Sequence, residues 1–137
     1  MEVPILKQGN YLIATVQAAI SDAALLELQD ELVKRVGKFR TRGVILDVTV
    51  LDVMDSFTAR TVRAIASMTK LRGAETVIVG IGPEVAFAMT QLGMTLEGVE
   101  TALDLDEGLA VLDQRLKGGR QPWPMKSAYP STPSPRS

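Results

Sequence analysis

The chain has 137 residues, of which 46% are hydrophobic and 23% charged, and a formal net charge of −1; this composition suits one globular domain with its own core. It contains no cysteine and no histidine, which excludes a disulfide framework, a thiolate zinc site, a cysteine nucleophile and serine–histidine catalysis. No basic excess is available to meet a phosphate backbone, so no nucleic-acid partner is expected.

In chain order, residues 3–6 form a short apolar stretch, and Gly9-Asn10 is a turn signal. Residues 11–16 are rich in strand formers, so the two stretches are candidates for a hairpin, with a link longer than the tightest loops. Ser21 is a good N-cap, and Asp22 suits the positive end of a helix dipole. Leu25, Leu28, Leu32, Val36 and Phe39 then fall at spacings of three and four, which predicts an amphipathic helix ending near Arg40. The run Val44-Ile45-Leu46-Asp47-Val48 reads as a buried, parallel strand.

A second helix is expected from Ser56 to about Leu71, with Val62, Ile65, Ala66 and Thr69 as its inner stripe and Gly73 after its end. Arg60, Arg63, Ser67 and Lys70 should face solvent or a partner. Residues 76–79 predict another buried strand. Gly80-Ile81-Gly82-Pro83 turns the chain into a third helix, which passes through Val85, Phe87, Ala88 and Met89 to Leu92 and stops at Gly93. A short strand near residues 99–101 precedes a last helix from about Asp104, striped by Leu105, Leu109, Leu112 and Leu116. Strands alternating with helices imply an α/β domain with a mainly parallel sheet, made mixed by the first strand.

The domain is expected over residues 1–117. Residues 118–137 hold five of the seven prolines and read as a Pro/Ser-rich, disordered tail. The first residues lack a long apolar region with a cleavage site, and no run of about 20 apolar residues would span a bilayer. The expectation is therefore a cytoplasmic protein with no membrane association.

Four places bear on function. Ser56 stands where a strand–loop unit becomes a helix. It reads either as an N-cap or as a hydroxyl whose phosphate the helix N-terminus would tolerate. Gly80-Ile81-Gly82-Pro83 has part of a phosphate-loop pattern, but Val85 stands where a third glycine belongs and Pro83 lacks an N–H. A turn needing unusual backbone angles accounts for it better than a nucleotide-dependent enzyme. Asp47, Asp52 and Asp55 would suit Mg²⁺ by type, though helix-end charge and a solvated loop explain them, and no metal or cofactor is expected. Thr90 is a hydroxyl on the third helix, read as an ordinary helix threonine or as a second modification site.

The strand at residues 44–48, the loop after it and Met54-Asp55-Ser56-Phe57 resemble the STAS domain of anti-sigma-factor antagonists. Within that family the resemblance is to RsbS-type stressosome proteins. Pro4-Ile5-Leu6-Lys7, Met68-Thr69-Lys70-Leu71 with Gly73-Ala74, Gly80-Ile81 with Pro83, Leu92-Gly93 and residues 100–105 carry it further, over about residues 3–117. The resemblance implies a STAS fold of four to five strands, in a mixed, mostly parallel sheet, with about four helices. It implies a non-catalytic signalling scaffold that sequesters an RsbT-like kinase together with RsbR-like proteins, and releases it when Ser56 is phosphorylated. An RsbX-like phosphatase would reset it, and a homodimer and a large stressosome assembly are expected. Asp55, Phe57, Arg60 and Arg63 would surround Ser56 as the recognition surface. Sporulation antagonists usually carry a small residue and glycine after the serine. Phe57-Thr58 here favours the stressosome branch over the alternative, direct binding of an anti-sigma kinase.

Overall fold

The computed structural model describes residues 3–119. The element order is β1 (Ile5–Gln8), β2 (Tyr11–Thr15), α1 (Asp22–Phe39), β3 (Gly43–Asp47), α2 (Ser56–Leu71), β4 (Glu75–Val79), α3 (Pro83–Gln91), β5 (Glu100–Ala102) and α4 (Leu105–Gly119). α4 takes in the first two residues of the expected tail, 118 and 119, and the rest of that tail lies outside the described residues.

The five strands stand in the order β1-β2-β3-β4-β5. The β1–β2 pair is antiparallel and the other three pairs are parallel. The first hairpin is tighter than its apolar residues suggest. β1 runs on to Gln8 opposite Tyr11, leaving a two-residue turn in which Gly9 takes φ +60°. Glycine at the first turn position allows that angle without steric cost.

Sheet order and crossover hand decide where the helices lie. Each parallel strand is added on the same side of the one before. Right-handed crossovers therefore place α1, α2 and α3 on one face. Their buried side chains, among them Leu25, Leu32, Val62, Ile65 and Val85, pack with Leu12, Val44, Leu46 and Ile78 in the larger core. α4 follows the last strand, is not a crossover, and covers the opposite face, where Leu112 packs with Ile13, Ile45, Val77 and Val79. Gly108 makes that approach close: a Cβ there would stand 2.6 Å from Val79 Cγ1.

One predicted inner position, Phe39, lies outside, as do Phe87 on α3 and Leu92 just after it. Phe39 is 41% exposed, Phe87 67% and Leu92 73%. In α3 the buried pair is Val85 and Met89, four residues apart. Phe87, two residues from each, points away from the face they share. The Phe39 ring, in the last turn of α1, lies instead beneath the ammonium groups of Lys7 and Lys38 at 5.9 and 5.4 Å.

Candidate functional site

In this topology all the loops from a parallel strand to the next helix gather at the C-terminal edge of the sheet, where open α/β sheets place their sites. The loop from β3 to α2 is pinned there from several sides. Val48 N–H donates to the Val79 carbonyl at 2.9 Å, extending the sheet by one bond. Asp47 Oδ1 accepts from Thr49 N–H at 3.0 Å and from the Thr49 hydroxyl at 2.5 Å. Leu51 and Met54 are buried, while Val50, Asp52 and Val53 project outward.

The cap of α2 is Asp55, not Ser56. Asp55 has φ −80° and ψ 177°, and its Oδ1 accepts from Thr58 N–H at 2.8 Å. Its carbonyl accepts from Ala59 N–H at 2.9 Å, the first helical bond. The Thr58 N–H and hydroxyl, followed by the charge of Arg60, hold the Asp55 carboxyl below the usual carboxylate range. A sequence signal for this cap exists: Met54 and Ala59, buried in one cluster, occupy the N′ and N4 positions of a hydrophobic staple around Asp55.

Ser56 is therefore the first residue inside the helix. It is exposed, and its hydroxyl has no hydrogen-bond partner among the described residues. Arg60 and Arg63 follow at four and seven residues, on the same helix face. Arg60 is exposed. Arg63 is half-buried and donates from its guanidinium to the Thr95 carbonyl at 2.8 Å. Phe57 is half-buried and packs against the larger core. Exposed Val50 and Val53, which composition did not single out, add an apolar flank to the loop.

The other candidates resolve differently. Gly80 has φ +86°, and a Cβ there would lie 2.0 Å from Thr49 Oγ1 and 3.0 Å from Thr49 Cα. Gly80 thus lets the β3–α2 loop approach β4 and has a structural reason of its own. Pro83 opens α3, whose cap, Gly82, supplies no side-chain bond. Among the described residues no three carboxylates gather to hold a metal ion; those of Asp47 and Asp55 are engaged in their own turns. The Thr90 hydroxyl is exposed and donates to the Ala86 carbonyl at 3.0 Å.

A family profile described as the STAS domain matches residues 2–108. A solved structure of a serine-to-glutamate variant of Moorella thermoacetica RsbS is 31% identical, with a TM-score of 0.73, covering 84% of this chain and 97% of that one. A chain from a structure of the molecular architecture of the stressosome, "a signal integration and transduction hub", is 32% identical with a TM-score of 0.71, covering 83% of this chain and 99% of that one. The RsbT co-antagonist protein RsbRA of Bacillus subtilis is 30% identical over 82 residues, which are 60% of this chain and 30% of RsbRA. The chain thus spans less than a third of that curated relative's length. Among the described residues no helix is long and apolar enough to cross a membrane.

Proposed function

The chain belongs to the STAS domain family, and from that premise we propose that it is a non-catalytic, RsbS-like scaffold of a stressosome whose Ser56 accepts phosphate from a switch protein kinase. Likeness to RsbS, to a stressosome chain and to an RsbT co-antagonist supports the scaffold role. One observation carries the site: Asp55 performs the capping, so Ser56 presents an exposed hydroxyl with no structural duty.

A phosphate on Ser56 would add about −1.5 to −2 charges at neutral pH. The free N–H groups at the start of α2 and the dipole of that helix favour it there, and Arg60, one turn on, offers a cation. The neighbouring Asp55 and Asp52 carboxylates oppose it. Gain and loss are both local, so the fold survives while the charge of the docking surface changes. Asp55, Phe57, Arg60 and Arg63 frame that surface in this reading. Its partners are RsbR-like STAS proteins, an RsbT-like kinase and an RsbX-like phosphatase, working in the cytoplasm with this chain as a homodimer. Thr90, its hydroxyl already engaged with Ala86, is the lesser phosphoacceptor.

The test is incubation of the full chain with its cognate RsbT-like kinase and ATP, followed by mapping of phosphate by mass spectrometry. Label on Ser56, abolished in Ser56→Ala, is the expected result. Label elsewhere with Ser56 bare would refute the assignment. Kinase that stays bound equally to both forms would refute the release step.

A further inference from the structure

The net charge of −1 conceals a separation of charge along the strands. α1, α2, α3 and α4 all begin at the edge where the parallel strands end. The segments gathered there, residues 16–26, 44–60, 80–87 and 103–109, hold eight carboxylates against one cation, Arg60. The segments at the opposite end, residues 7–10, 37–43, 70–75, 92–100 and 113–117, hold eight lysines and arginines against four carboxylates. Two of those four, Glu75 and Glu100, are engaged by Arg115.

Helix dipoles account for only part of this. Each helix terminus is equivalent to about half a unit charge, so four N-termini supply roughly +2 at the acidic end and four C-termini roughly −2 at the other. A net seven carboxylates exceed the first more than threefold, and a net four cations exceed the second about twofold. The excess leaves one end anionic and the other cationic.

Both ends also expose apolar side chains beside their charges. Val53 is 72% exposed and Leu103 77% at the acidic end, and Leu71 is 88% exposed at the cationic end. Around Leu71 a cleft is lined by Arg40, Thr41, Arg42 and Arg72. The Thr41 hydroxyl there is buried without a partner among the described residues. Arginine is enriched at interface centres, and here three arginines surround an exposed leucine.

We infer that the cationic end docks the acidic end of a second copy of this chain, head to tail. Each copy then offers one donor and one acceptor surface, and the contact repeats into a ring or an open filament according to the rotation between copies. It does not depend on Ser56 being a phosphoacceptor.

Sedimentation velocity of the full chain reads this directly. Association should grow with concentration in about 10 mM salt and reverse at about 1 M, where the screening length falls from about 30 Å to about 3 Å. Two charge reversals separate the ends. Arg42→Glu with Arg72→Glu, and Asp52→Lys with Asp106→Lys, should each abolish the salt-reversible association alone, and their equimolar mixture should restore it. Circular dichroism melting establishes that each variant is folded, and the salt series on the unaltered chain decides even where one is not. A dimer unchanged by salt and by both reversals, with nothing larger at low salt, belongs to another surface and overturns the inference. So does the absence of association at low salt, which would leave the cationic end to a different polyanion.

Discussion

Replacing Asp55 with alanine removes the side-chain acceptor of Thr58 N–H, a bond of 2.8 Å at the start of α2. Loss of an N-cap acceptor costs about 1 kcal/mol, within a range of roughly 0.5–2. For a chain of this size that lowers the melting temperature by about 3–5 °C. Ser56→Ala, one residue on, removes no cap and should stay within about 0.5 kcal/mol, as exposed substitutions do. The pH dependence has a definite sign. Thr58 holds the Asp55 carboxyl below its unfolded-state value. Its contribution is therefore present above that unfolded pKa and is lost as pH falls through the lower folded one. Urea unfolding of the three proteins at neutral pH, and along a series into the acid range, measures both effects. The Asp55→Ala deficit should be full at neutral pH and shrink in acid. Asp55→Asn, which keeps an acceptor but cannot ionise, should retain most of the stability with a flatter pH profile. A Ser56→Ala deficit equal to that of Asp55→Ala would refute the assignment of the cap, and with it the argument that Ser56 is free for modification.

Gly108→Ala improves helix propensity by about 1 kcal/mol but drives a methyl to 2.6 Å from Val79 Cγ1 and 3.3 Å from Ile45 Cδ1. Overpacking of about 1–3 kcal/mol should win, and unchanged or raised stability in denaturant would contradict the close approach of α4. Arg40 closes α1 with φ +53°; Arg40→Gly relieves that conformation and should stabilise by about 0.5–1 kcal/mol, read as a higher urea midpoint with an unchanged slope. Thr41→Val removes a buried hydroxyl that has no partner among the described residues. It should be neutral or stabilising by up to about 1 kcal/mol, and a loss larger than that would mean the hydroxyl is satisfied in solution.

Most element boundaries were legible because their signals are local. Ser21 caps α1 through Ala24 N–H at 3.1 Å, as its position predicts. Gly73 follows the end of α2 with φ +93°, and Ala74 N–H closes back on the Thr69 carbonyl at 2.9 Å. The buried stripe of α1 from Leu25 to Val36 follows its spacing. Near Ser56 two good capping residues adjoin, and propensity alone does not rank them. The choice of Asp55 came from the burial of Met54 and Ala59 on either side, which sets the angle at which the chain enters α2.

Residue order by itself thus determined the alternation of strands and helices, the cap of α1, and the place of Ser56 at the mouth of a helix. Each of these depends on neighbours within a few positions. Tertiary structure alone decided that α4 covers the face the crossover helices leave open, and that Phe39, Phe87 and Leu92 lie outside. It also gathered carboxylates scattered from Asp22 to Glu107 at one end of the sheet. The physical reason is the same for all three: which face or end a residue occupies follows from strand order and crossover hand, which join segments far apart in the chain and leave no trace in any single one.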